Sequence, residues 1–427
     1  MLRDLFPRRL LQWLGPLIAA GFTALVVATI VVLSGVPNLA ATTPHPQLWA
    51  KFLHFVFSRS VSFHSSDLTP PADLNSPNRV ALGAAHYANV CANCHGAPGT
   101  GQNPIALAMT PRPPYLPAQI KDLNDKEIFW VLKHGVKYSA MPGWPTQLRD
   151  DEIWSMVAFV KTLPDLKYDI YRRVALGESA SGNTNLPRID FGSDPVLRPY
   201  VSHNSTIPQG DINHYVFPAT GPDQFGQTGA VIETCSRCHG SAGTGRAVGA
   251  FPNLAILSQQ YIASALTSFA SGKRHSAYMQ TVADQLSPQQ IQQVAAYYSS
   301  QPKAKSLAAA TFQVPAADVA YGQQIALQGL RDRKIGACSG CHALADADVR
   351  AYPRLNGQNE DYLINQLKLF RAGGRGNSGK YNPMVGVAKN LTDREIGAVS
   401  AYYAAQTPYG ASVLKAEAKL VQPQRGS

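Results

Sequence analysis

All six cysteines of this chain fall into three pairs of one design: Cys91-Ala-Asn-Cys94-His95, Cys235-Ser-Arg-Cys238-His239 and Cys338-Ser-Gly-Cys341-His342. No other feature constrains the chain as strongly. Cys-x-x-Cys-His is the pattern for covalent haem c attachment, in which two thiols add to the vinyl groups and the adjacent imidazole reaches the iron. A thioredoxin-like redox pair, half a zinc site or a disulfide framework would use the same cysteines. A disulfide framework would not require the histidines, yet every pair carries one.

Each motif heads one copy of a repeat. Met141, Met279 and Met384 lie 46, 40 and 42 residues beyond His95, His239 and His342. Seven residues past each methionine come Leu148, Leu286 and Leu391; twelve past, Ile153, Ile291 and Ile396; seventeen past, Ala158, Ala296 and Ala401. An aromatic residue follows each alanine. This register predicts an apolar helix closing each copy, started in the second and third by the capping boxes Ser287-x-x-Gln290 and Thr392-x-x-Glu395. The last two copies agree further: Tyr261, Leu266, Phe269, Gly272 and Arg274 match Tyr362, Leu367, Phe370, Gly373 and Arg375.

The repeat nominates three axial pairs, His95 with Met141, His239 with Met279 and His342 with Met384. Histidine with methionine raises a haem potential and fills both open iron positions, which suits electron transfer rather than oxygen chemistry. Met109 and Met156 are the rivals in the first copy; Met156 sits in an apolar run and reads as core, and Met109 lacks the downstream register. A ligating histidine usually donates its other nitrogen to a carbonyl or carboxylate. Pro252 and Pro353 are the candidate carbonyls in the second and third copies, while Pro111, Pro113 and Pro114 compete in the first. Arg274 and Arg375 suit either haem propionates or a solvated surface.

Punctuation divides the chain into an anchor (residues 1–43), a membrane-proximal segment (44–79), a first haem unit (80–164), a strap rich in Gly, Pro and aromatics (165–228), second and third units (229–302 and 303–408) and a tail (409–427). Residues 10–50 carry no formal charge, and residues 13–36 are apolar enough to span a bilayer. Arg3, Arg8 and Arg9 precede the span, so the positive-inside rule exports everything after it; a cleaved signal peptide is the competing reading, although its apolar region is normally shorter and Asn38-Leu39-Ala40-Ala41 makes a poor cleavage site. Beyond the span, Leu48, Trp49, Phe52, Phe55 and Val56 recur at helical spacing, as an interfacial or docking face or as packing on the first unit. The net charge of +11 comes from 38 Lys and Arg scattered without a dense basic run, which argues against a nucleic-acid partner.

These residues resemble class I c-type cytochromes, and more closely the membrane-anchored triple-haem subunits of bacterial periplasmic dehydrogenases. The last two copies are similar to tandem dihaem cytochromes through Pro353-Arg354-Leu355-Asn356-Gly357-Gln358 and their Ala-Tyr-Tyr ends. The first, with His95-Gly96-Ala97-Pro98-Gly99 and Met141-Pro142-Gly143-Trp144, resembles domains found beside alcohol and aldehyde dehydrogenases. One departure is Tyr278-Met279-Gln280, which has no proline beside the proposed ligand. The resemblance implies an all-α fold: a transmembrane helix followed by three class I cytochrome c domains holding three haems c. It also implies a bacterial inner-membrane protein with periplasmic haem domains. Such a subunit takes electrons from a catalytic dehydrogenase subunit, here of the alcohol or aldehyde type, and passes them to membrane quinone or a terminal oxidase. The alternative is a respiratory cytochrome that links a quinol-oxidising complex to a terminal oxidase, or is itself an oxidase subunit. No dinucleotide fingerprint or acid-base pair stands out, so any dehydrogenase chemistry is expected on another chain.

Overall fold

The computed structural model describes residues 8–40, 42–43, 45–177, 228–246, 249–306, 315–342, 352–376 and 382–408. Among the described residues the fold is all-helical, with only two isolated β-bridges, at Ala97 with Thr100 and at Leu330 with Ile335. Helix α1 (Arg8–Leu33) contains the 21-residue apolar stretch Trp13–Leu33, long enough to cross a membrane and with none of its surface buried. Helix α2 (Gln47–His64) follows. At its C-terminal end Val61 is buried and His64 stacks on Trp130 with ring centroids 5.8 Å apart. Leu48, Trp49, Phe52, Phe55 and Val56, nearer its N-terminus, are exposed.

The first unit is built on α3 (Pro77–His86), α4 (Asp125–His134), α5 (Asp150–Val160) and α6 (Tyr168–Leu176). Asn124 and Glu127 form a capping box at the start of α4, and Lys133 and His134 complement the helix dipole at its end. Helix α5 is buried from Glu152 to Val160 and supplies Ile153, Met156, Val157 and Phe159 to a core with Tyr87, Phe129 and Trp154. Helix α6 lies within the segment read as a strap; Tyr171 and Ala175 are buried in the first unit's core. The remaining strap, with Phe191, Tyr200, Tyr215, Phe217 and Phe225, and the tail lie outside the described residues.

The second unit comprises α7 (Thr228–His239), α8 (Gln259–Ala270), α9 (Ala277–Ala283) and α10 (Pro288–Ser300). The third comprises α11 (Ala316–Gln328), α12 (Glu360–Ala372), α13 (Pro383–Lys389) and α14 (Asp393–Ala405). Both expected capping boxes, Ser287 with Gln290 and Thr392 with Glu395, start α10 and α14. The closing helix of each unit packs against the helix that leads to its cysteines: α5 on α3, α10 on α7 and α14 on α11.

In two units a glycine makes that crossing possible. A Cβ on Gly83 would fall 2.1 Å from the Ser155 carbonyl oxygen, and one on Gly322 would fall 2.0 Å from that of Ala398. No side chain fits either gap, so the helix backbones meet directly there.

Candidate functional site

The chain enters the first motif through a one-turn π-helix, Tyr87–Cys91, and the motif continues as the short helix Ala92–His95. Wide turns of this kind are commonly found at functional sites. In all three motifs the imidazole is fixed in the same way. His95 Nδ1 donates to the Pro114 carbonyl at 2.9 Å, His239 Nδ1 to Pro252 at 3.1 Å and His342 Nδ1 to Pro353 at 2.8 Å. A carbonyl can only accept, so Nδ1 carries the proton and Nε2 keeps its lone pair for a metal. Burial also lowers the pKa of all three rings and keeps them neutral. Pro114 thereby emerges from the three proline candidates of the first unit.

Four of the thiols are unlike those of a redox pair. Burial pushes the thiols of Cys91 and Cys235 up to about 12 and those of Cys238 and Cys338 up to about 11. A reactive Cys-x-x-Cys pair needs the opposite shift, toward the thiolate. None of the six is in a disulfide.

Each methionine is held by a neighbouring side chain that sequence reasoning missed. Its backbone N–H donates to Ser139 Oγ at 3.1 Å for Met141, to Ser276 Oγ at 3.1 Å for Met279 and to Asn382 Oδ1 at 3.0 Å for Met384. The available signal was a Ser or Asn two or three residues before each methionine. Cys91 and Met141 pack on one hydrophobic core, and Cys235 and Met279 on the next. Cys338 packs on the third core, whereas Met384 sits half-buried at the start of α13. Met156 is fully buried core.

Arg274 and Arg375 are interface residues between the last two units. Arg274 donates to Tyr362 OH at 3.1 Å, and Arg375 donates reciprocally to Tyr261 OH at 3.0 Å. Each guanidinium stacks on the phenyl ring of its own unit, Phe269 at 4.4 Å and Phe370 at 4.5 Å. Asn253 and Gln358 add a second reciprocal pair, with Asn253 N–H donating to Gln358 Oε1 at 2.7 Å and Gln358 Nε2 to the Asn253 carbonyl at 3.0 Å. Neither arginine has an ion-pair partner among the described carboxylates. Burial lowers the pKa of Arg375, with Arg274 adding repulsion. Two half-buried cations of this kind, one at each side of the interface, fit an anionic group there. In the first unit the buried Trp144 Nε1 is a donor without an acceptor. Both features fit haem, whose propionates supply acceptors and negative charge.

Three helical units, each presenting a cysteine pair and a neutral imidazole with its Nε2 lone pair available, define a multi-haem c-type electron carrier with three sites consistent with covalent haem. Residues 78–160 match the family model for cytochrome c oxidase, cbb3-type, subunit III, and residues 221–301 and 319–405 match that for cytochrome c. The thiosulfate dehydrogenase electron acceptor of Thiomonas intermedia is 35% identical over 175 residues, covering 40% of this chain and 78% of its own. Cytochrome c4 of Pseudomonas aeruginosa is 31% identical over 186 residues, covering 43% of this chain and 88% of its own. The solved structure of reduced recombinant cytochrome c4 from Pseudomonas stutzeri covers 42% of this chain and 98% of its own at 30% identity, with a TM-score of 0.36. The chain belongs to the class I cytochromes c, as a multi-domain member with an N-terminal apolar helix.

Proposed function

We propose that this chain is the membrane-anchored electron-transfer subunit of a periplasmic dehydrogenase, accepting electrons from a catalytic partner and delivering them to a terminal oxidase or membrane quinone. Cys91 and Cys94, Cys235 and Cys238, and Cys338 and Cys341 would hold three haems c through thioether bonds. His95, His239 and His342 would be the proximal ligands, and Met141, Met279 and Met384 the distal ones. Haem c supplies a one-electron centre when bound; the residues of the chain attach it, orient its ligands and keep both axial positions closed.

The observation that carries this reading is the shared make-up of the three sites: a neutral imidazole on a proline carbonyl and a methionine pinned by its own N–H. Three such centres serve transfer rather than turnover. A donor of the dehydrogenase type is supported by the relatives called thiosulfate dehydrogenase electron acceptors. Delivery to an oxidase is supported by the match of the first unit to an oxidase subunit family. Helix α1, with Arg8 and Arg9 at its start, would keep the haem units at the outer face of the membrane. Purification of the native complex from mild detergent tests the assignment. A catalytic dehydrogenase chain is expected to come with it. Recovery of quinol-oxidising and oxidase subunits alone would establish the respiratory alternative instead.

A further inference from the structure

The loop that carries Met279 is gripped from outside its own unit. Ser276 Oγ donates to Glu152 Oε1 at 2.6 Å, and the Ala277 N–H donates to Glu152 Oε2 at 2.8 Å. Tyr278 OH donates to the Glu152 backbone carbonyl at 2.8 Å, and Arg149 donates to the His275 carbonyl at 2.6 Å. Arg149 also pairs with the Glu152 carboxylate at 2.9 Å. All four residues from His275 to Tyr278 are therefore bonded to the start of α5 in the first unit. Ala277 is fully buried within that unit's core, and the Tyr278 ring stacks on His86 at 4.5 Å.

This grip reaches the methionine in one step. The Ser276 hydroxyl spends its proton on Glu152, which leaves its oxygen lone pairs for the Met279 N–H. Glu152 is only 3% exposed, so the carboxylate is desolvated and its bonds are correspondingly strong and directional. The first site is held within its own unit: Ser139 donates to the Val136 carbonyl at 2.7 Å while accepting from Met141. Asn382 likewise caps Met384 within the third unit. Those two sites also have a proline beside the methionine, Pro142 and Pro383, which restricts the backbone. The second site has Tyr278 and Gln280 in those places and takes its restraint from another unit.

We propose that Glu152, acting through Ser276, is a positioning residue for Met279, so that the first unit sets the axial geometry of the second site; this rests on Met279 being the distal ligand there. The test uses the full haem-loaded chain. Oxidised low-spin haem with a methionine ligand has a weak red charge-transfer band, and losing the thioether lowers the potential. Met279→Leu should remove a third of the band; an unchanged band would overturn both the ligand assignment and the proposal. With that third established, Ser276→Ala and Glu152→Ala should each weaken it, lower one of the three potentials and let added imidazole bind one iron. Glu152→Gln keeps one oxygen to accept from Ser276 but sets its NH2 against the Ala277 N–H, so it should weaken the band less than Glu152→Ala does. If both alanine variants carry three haems and keep the full band and all three potentials, the ligand assignment stands and the positioning role is overturned. Ser276→Ala removes no charge, so it answers the question even where Glu152→Ala fails to fold.

Discussion

At the residue scale, the chemistry of each site depends on where one proton or one lone pair is placed. The proline carbonyls hold the three imidazoles in a single tautomer, and the pinned methionine N–H groups orient their loops. Replacement of Met141 by Leu, which keeps the apolar volume but cannot coordinate, should therefore abolish a third of the red charge-transfer band and lower one potential. Met109→Leu should leave the spectrum unchanged; the reverse outcome would move the first distal ligand to Met109. A second residue-scale effect concerns acid. Burial alone would raise the Glu395 carboxyl, but Arg333, the Thr392 backbone N–H and Tyr321 outweigh it and bring the pKa down to about 2. A carboxylate depressed in the folded state stabilises it fully above its unfolded value of about 4.5, and this contribution is lost as pH falls toward 2. Denaturant titrations of the full chain across that window should show the wild type losing stability in acid, with a shallower slope for Glu395→Gln.

At the scale of elements, the crossing of an entry helix by a closing helix is what places each cysteine pair over a core. Gly83 and Gly322 let the backbones of α3 with α5 and of α11 with α14 touch. Gly322→Ala should push the two helices apart at a cost of about 1–3 kcal/mol, the usual range for overpacking a filled contact. Denaturant unfolding should report that loss, whereas Gly386→Ala, with open space around its Cβ position, should cost far less. The closing helices were legible as elements because their Leu, Ile and Ala register repeats three times and two of them begin with capping boxes. The glycine crossings were not. A glycine inside a helix gives no local sign of which backbone approaches it, because that partner lies more than 70 residues away in each case.

At the scale of the whole molecule, the units form an interlocked assembly rather than beads on a tether. The last two exchange reciprocal contacts through Arg274 with Tyr362 and Arg375 with Tyr261. The first grips the second through Arg149 and Glu152, and reaches the third through Asp151, which accepts from Asn365 at 3.0 Å. Each unit nevertheless has its own hydrophobic core. The mature protein should therefore carry three covalent haems by pyridine haemochrome assay. Replacing Cys235 and Cys238 with Ala should lower the count by one while His95 and His342 keep their sites; a loss of all three would mean that the units mature only together.

The sequence by itself determined the class of cofactor site, the number of copies and the candidate ligands, because covalent attachment demands fixed local spacing and duplication preserves register. It also marked Pro252 and Pro353, which lie 13 and 11 residues past their histidines. Only the tertiary structure selected Pro114, placed Arg274 and Arg375, candidates for haem propionates or a solvated surface, at the interface of the last two units, and joined Glu152 to Ser276 across 124 residues of chain. These are contacts between groups distant in sequence, and burial decides their strength. Neither the partner nor the burial is written in the local pattern around any one residue.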